Sequence, residues 1–370
     1  MVKMSFECFF SPLSLLFMQL TKKSGSTLAG YIGLGLGIVL VAFQFRQIDL
    51  ASVIGRISSI GISSVVILLP FLALHLLETF AWIRVFPPSI TALSFSKLLK
   101  IQFIAETISM TLPAGVAVGE PLRPFLCHRF MGIPLPAAVA SVAVRKLMLG
   151  VAQGIYTIIG AIAGFSLLQT VPIPIFPVGV LGFIMVGAGI LIFLFFLFLL
   201  LLLLNGNAAQ SVHRLLMLVP FKKVKTWLLD RESGFLDTDE ELKSFDAPFA
   251  GRLLFVLLIY ILAWFMLAIE SYIILQLLGI KLSFLQVLAM DTAITMLRVL
   301  FFFIPSGLGI QELGYGLFFQ ALGVHDVADY GAFVLLRRFK ELLWYSFGYG
   351  VMFFSGVHLR DAEGVKSGVL

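Results

Sequence analysis

From Val178 to Leu204 the chain runs without a single charged residue. About 18 to 20 consecutive apolar residues are enough to carry an α-helix across the hydrocarbon of a bilayer, and a helix that is apolar all round must be covered on every side by protein or lipid. The rest of the chain is of the same kind, with 60% hydrophobic and 12% charged residues over 370 positions and a mean hydropathy of +1.05. Soluble domains carry about 25% charge, so too little polar surface is left here to face water, and a water-soluble enzyme is excluded. The apolar runs are continuous rather than alternating, which predicts spanning helices instead of barrel strands. Cys8 and Cys127 lie far apart without metal-ligand spacing, so the reading is free thiols, no metal and no cofactor. The net charge of +6 is read as cytoplasmic loops held inside, with no role for nucleic acid.

Hydropathy places six full spans near 27–45, 60–85, 136–164, 178–204, 254–279 and 330–357. Two further apolar segments, 97–131 and 285–322, are interrupted by Leu112-Pro113-Ala114-Gly115 and Ile304-Pro305-Ser306-Gly307. Proline removes a backbone donor and glycine admits unusual dihedrals, so each segment is read as a re-entrant hairpin broken at Pro113 and Gly115 or at Pro305 and Gly307. With the N-terminus inside, most Lys and Arg fall on the cytoplasmic side, Arg123 and Arg129 among them, and only Arg46, Arg56 and Lys281 fall outside. This positive-inside balance holds when both hairpins return to the side they entered from. The expected organisation is an interfacial segment over 1–26, a first membrane half over 27–204, an amphipathic cytoplasmic linker over 205–250, a second half over 251–358 and a cytoplasmic tail over 359–370. Residues 4–20 lack a small-residue cleavage site before Lys22 and read as an uncleaved interfacial stretch. The linker pairs a basic stretch at Lys222, Lys223 and Lys225 with an acidic one at Asp237, Asp239, Glu240 and Glu241.

An offset of 192 residues superposes the unusual positions of the two halves. Glu78 falls on Glu270, Pro113 on Pro305, Gly115 on Gly307, Glu120 on Glu312, Arg145 on Arg337 and Lys146 on Arg338. Charged residues inside membrane segments are rare, so their agreement at one spacing reads as an internal repeat. With the topology above, the two copies are inverted. Inverted repeats with broken helices are the architecture of many secondary transporters, which open a shared site to either face in turn.

Arg145, Lys146, Arg337, Arg338, Lys340 and Arg298 fall within apolar segments. At about 2.5 to 3.5 kcal/mol each if unpaired, they would cost more than the roughly 5 to 15 kcal/mol that holds a typical domain together. Carboxylates at Glu78, Glu106, Glu120, Glu270, Asp291, Glu312 and Glu341 are available as partners, so one reading is a set of salt bridges bracing two broken helices. The functional reading gives part of the set to an anionic headgroup: Arg145 and Arg337 in contact with it, with Lys146, Arg338, Arg123 and Arg298 around it and donors from the half-helix N-termini behind each Pro-Gly break. Glu120 and Glu312 are read as structural or gating partners of Arg145 and Arg337. Glu78, Glu270, Glu106 and Asp291 are the proton or gating candidates.

These motifs resemble the lysylphosphatidylglycerol synthase transmembrane family of flippase-like integral membrane proteins. The resemblance rests on Leu112-Pro113-Ala114-Gly115 with Gly119-Glu120 and Arg123, then Gly132 and Arg145, and on Pro305-Ser306-Gly307-Leu308-Gly309 with Glu312, Gly323 and Arg337, over about residues 27 to 357. It implies a multi-pass protein of the plasma membrane that moves lipids between leaflets, the lipid differing among members. Ala114 stands where glycine is more usual, and the aminoacyl-transferase domain of some members is not expected. The fold expected is an all-α polytopic membrane protein with an inverted repeat, and the function expected is a lipid flippase-like transporter and not an enzyme, with membrane lipids as partners. Two rivals stand beside it. An intramembrane lipid-phosphate enzyme would need a histidine near Pro305-Ser306-Gly307, where Leu308 stands, and His75, His128, His213, His325 and His358 are scattered. A scaffold for a lipid-synthesis enzyme would act through the 205–250 segment.

Overall fold

The computed structural model describes residues 50–112, 115–172, 177–204, 237, 239, 240, 242, 249–302 and 304–357. The expected span at 27–45, the 1–26 segment with Cys8, most of the 205–250 segment and the 359–370 tail lie outside the described residues, as does Pro113.

All regular structure among the described residues is helical. Helix α1, Leu50–Ile60, runs through a 3-10 segment, Gly61–Ile67, into α2, Leu68–Trp82. Gly61 takes φ +58° at the junction, a left-handed conformation glycine adopts without steric cost. This rod begins about one span-third earlier than hydropathy placed it, because Arg56 is on the helix rather than in an outer loop and is paired there with Asp326 at 2.9 Å and Asp329 at 3.2 Å. Next come α3, Phe95–Thr111, and α4, Val116–Met131, then the long α5, Leu135–Ala163, and α6, Leu181–Leu202. The second half repeats the order without a counterpart of α6: α7, Phe249–Leu277, α8, Phe284–Leu300, α9, Ile310–Ala321, and α10, Val327–Phe354.

Among the described residues four stretches are long and apolar enough to cross a membrane: Ala51–Val85, Leu135–Ala163, Leu181–Leu202 and Gly251–Leu277. They differ in what covers them. The most apolar window of α5 is 67% buried, that of α6 only 17%. Helix α5 is therefore the central post, whereas α6 turns Phe183, Leu191 and Phe198 outward and needs lipid as its solvent. Helix α10 is long enough to span but carries Arg337, Arg338, Lys340 and Glu341, charges that only the protein interior could tolerate.

Both Pro-Gly breaks occur where the sequence placed them. Leu112 leaves helical space for φ −90°, ψ 146°, the extended conformation forced on a residue that precedes proline. Gly115 then opens α4, and a Cβ there would overlap the backbone oxygens of Ile108, Ser109 and Leu112. We expect Gly115→Val to separate the hairpin arms at a cost of about 1 to 3 kcal/mol or more, read as a lowered unfolding temperature of the purified protein in detergent. In the second half Ser306 has φ +49° between Ile304 and Leu308, and Gly307 and Gly309 are also left-handed. At about 1.5 Å per residue, α3 and α8 each reach about 25 Å.

Packing between the halves is reciprocal. Helix α2 packs on α7, its counterpart at the 192-residue offset, while α3 packs on α10 and α8 on α5. Each hairpin's first arm thus leans on the long helix that follows the hairpin of the other half.

Candidate functional site

The buried charges form two networks. In the first half, Arg145 on α5 donates to Glu78 on α2 at 2.8 Å and approaches Glu120 on α4 at 3.7 Å. Arg123, fully buried, binds Glu106 and Glu120, each at 3.1 Å, so its place in the cytoplasmic loop count is corrected: α4 carries it into the core. Lys146 reaches Glu120 at 2.8 Å but has 48% of its side chain exposed. At the centre is Gln102, which accepts from Arg123 at 2.6 Å and Arg145 at 3.1 Å and donates to Glu78 in a short hydrogen bond. Sequence reasoning missed Gln102. The available signal was an uncharged polar side chain one helical turn before Glu106, on the face that carries the charges.

The second half repeats the pairing at the same offset. Arg337 lies 3.9 Å from Glu270, and Arg338 lies 2.5 Å from Glu312. Glu312 is thus the partner of Arg338 rather than of Arg337. It also accepts from the Gly309 backbone N–H at 2.7 Å, which corrects a further expectation: the α9 N-terminus already holds an anion, a carboxylate of its own chain. Arg338 also binds Glu341 at 2.5 Å, and Lys340 donates to Glu270 at 2.8 Å. Asp291 is held by Tyr156 at 2.9 Å and Ser271 at 3.0 Å and lies 3.7 Å from Arg337. Taken over both networks, Arg123, Arg145, Lys146, Arg298, Arg337, Arg338 and Lys340 are matched one for one by Glu78, Glu106, Glu120, Glu270, Asp291, Glu312 and Glu341.

Between the two networks lies a cavity of about 460 Å³, within the roughly 300 to 1,000 Å³ of small-molecule sites. Both hairpins wall it: Glu106, Ser109 and Met110 from α3, and Thr295, Arg298 and the Pro305–Gly307 turn from the second. Helix α2 adds Phe71 and Glu78, α7 adds Trp264, and α10 adds Arg337, Lys340, Glu341 and Tyr345. Val299 and Phe302 line it and are also exposed, so it opens at the protein surface beside the second break.

The lining divides the candidates. Arg145 is 1% exposed and is not among the lining residues. The guanidinium is occupied by Glu78 and Glu120 and braces α5 against α2 and α4. Glu120, Arg123, Lys146, Asp291 and Glu270 are likewise bracing residues outside the cavity wall, and so are Arg338 and Glu312. Arg298 differs. It forms no ion pair with any of the described residues, and its one side-chain hydrogen bond among them is a long, weak one from Nη2 to Met110 Sδ at 3.5 Å. A guanidinium has five N–H donors, and a thioether satisfies one of them poorly. Position explains how the charge survives: Arg298 is in the last turn of α8, where the partial negative charge of the helix end favours a cation without consuming its donors.

The sequence profile of the family described as lysylphosphatidylglycerol synthase TM region matches residues 30–346. The chain belongs to that family. It is therefore a multi-pass membrane protein linked to lipid handling, and the breaks and buried charges just described all fall within the stretch that matches the lysylphosphatidylglycerol synthase TM region. No curated protein and no solved structure matches the chain.

Proposed function

We propose that this protein is a flippase-like lipid transporter of the plasma membrane, with its termini cytoplasmic, whose two halves are inverted copies enclosing a headgroup site. The observation that carries the proposal is Arg298: a guanidinium on the cavity wall, without a carboxylate partner among the described residues, in a protein that pairs its other mid-membrane bases. A planar fork of donors suits a phosphate bidentately. The side opening at Val299 and Phe302 supports the same reading, since a lipid could keep its acyl chains in the bilayer while its headgroup enters. Reciprocal packing of α3 on α10 and α8 on α5 supports alternation between the two faces, because an exchange of equivalent contacts has a mirror-related alternative of similar energy.

Chemistry at the cavity wall favours transport over lipid-phosphate hydrolysis. The nucleophile such an enzyme would use, Ser306 Oγ, is engaged with Met110 O at 3.1 Å and Tyr345 Oη at 2.9 Å, and among the described residues no histidine lines the cavity. His75 is instead buried among Phe71, Phe103 and Trp344. A general base within hydrogen-bond reach, about 2.6 to 3.2 Å, is what hydrolysis would require.

Reconstitution tests the proposal. In vesicles carrying a phospholipid fluorescent on one acyl chain, the purified protein should expose inner-leaflet probe to an external quencher well above protein-free vesicles, with no phosphate or headgroup released. Product release without exchange would favour the enzyme, and neither would leave the scaffold reading.

A further inference from the structure

Resting on that transport reading, we infer that the headgroup this cavity takes is zwitterionic, one phosphate and one ammonium, rather than simply anionic: Arg298 receives the phosphate and Glu106 the ammonium. The first ground is electroneutrality. The mid-membrane charges of the two halves balance one for one, so a lone anion bound at Arg298 would leave one negative charge uncompensated at low dielectric, where such a charge is expensive. A headgroup that brings its own cation restores the balance.

The second ground is position. Glu106 and Arg298 stand 192 residues apart, the offset that relates Glu78 to Glu270 and Glu120 to Glu312. Elsewhere that offset pairs like charges, but here, on the two hairpin arms that wall the cavity, it pairs opposite ones. The bridge between them is Met110, which contacts Arg298 at 3.5 Å and follows Glu106 by one turn of α3, a rise of about 6 Å.

The third ground is capacity. Glu106 Oε2 accepts from Arg123 at 3.1 Å, while its side chain keeps 24% of its surface exposed and lines the cavity. None of the described residues donates to Oε1, which leaves an acceptor for an ammonium. Trp264 adds an aromatic ring to the same cavity wall, a surface that attracts an alkylammonium, whereas Phe71 already carries the Lys340 ammonium 4.3 Å from its ring centre.

Two probe lipids with identical fluorescent chains decide the matter, one with a glycerol headgroup (phosphate alone) and one with an ethanolamine headgroup (phosphate and ammonium). In vesicles holding the wild-type protein the ethanolamine probe should exchange faster by about tenfold, the factor that one charge-assisted hydrogen bond carries. Glu106→Gln should bring the two rates together, chiefly by slowing the ethanolamine probe. The wild-type comparison needs no variant, so a misfolded Glu106→Gln protein does not remove the test. Equal or faster exchange of the glycerol probe overturns the inference and leaves transport standing. So does glycerol-probe exchange that accelerates on acidification to match the other, since a proton from water would then supply the missing cation. Exchange of neither probe overturns both the inference and the transport reading.

Discussion

Replacing Arg298 with glutamine should lower lipid exchange in reconstituted vesicles by at least about tenfold, with the unfolding temperature of the purified protein within a few degrees of wild type. The size of the loss follows from what the guanidinium does in an empty cavity. Among the described residues it makes no ion pair and one poor hydrogen bond, to Met110 Sδ, so its removal strips few native contacts. A phosphate bound to it, in contrast, loses a charge-assisted, two-pronged hydrogen bond worth about 1.5 to 3 kcal/mol, which is roughly a tenfold to hundredfold change in occupancy. Arg298→Lys should recover part of the loss, because the charge returns without the planar fork. A stability loss as large as the activity loss would assign Arg298 to the scaffold instead.

Arg145→Ala should do the opposite. It removes a buried guanidinium that donates to Glu78 and Gln102 and adjoins Glu120, and thereby leaves Glu78 with Gln102 alone as a hydrogen-bond partner among the described residues. Breaking a buried pair from one side costs about 3 to 5 kcal/mol. We therefore expect a sharp fall in the unfolding temperature, or protein that is no longer recovered in monodisperse form. The Arg145→Met, Glu78→Leu double variant should regain much of that stability, since removing both charges leaves no orphan and fills the space with apolar volume. The equivalent experiment on Arg337 should give a smaller loss. Its approach to Glu270 is 3.9 Å against the 2.8 Å of Arg145 to Glu78, and Ser271 and Asp291 share it. If Arg145→Ala is as stable as wild type but inactive, Arg145 belongs to the headgroup site after all.

The elements most legible in the sequence were those whose signal is a single residue's chemistry. Leu112 turns extended because Pro113 follows it, and Ile304 does so before Pro305, so both breaks could be placed to the residue. That the buried bases are paired with carboxylates was legible too, because an unpaired charge at such depth is too costly, but the nearer partner of Arg145 is Glu78, read as a proton or gating candidate, and not Glu120. What the sequence could not give is which charges face a cavity. Arg145 and Arg298 are both arginines in apolar helices, and hydropathy treats them alike. One is on the central post α5, surrounded by carboxylates, and the other is in the last turn of a hairpin arm, where α3 brings only a methionine. That difference exists only once the two halves are packed together. The burial of Arg123 was missed for a related reason: α4 carries Glu120, Arg123, His128, Arg129 and two internal prolines, which lower its hydropathy, although the helix packs between α3 and α5. The α9 N-terminus was read as a free anion site, but Glu312 sits at its third position, close enough to cap the turn it begins.

The account turns on a lipid phosphate held at Arg298 between the two hairpins. Native mass spectrometry of lipids retained by the protein extracted gently from the membrane tests this directly, with Arg298→Gln measured beside the wild type. The prediction is bound phospholipid on the wild-type protein and its loss, to about a tenth or less, from the Arg298→Gln protein at equal folded fraction. Equal retention of phospholipid by both would contradict it.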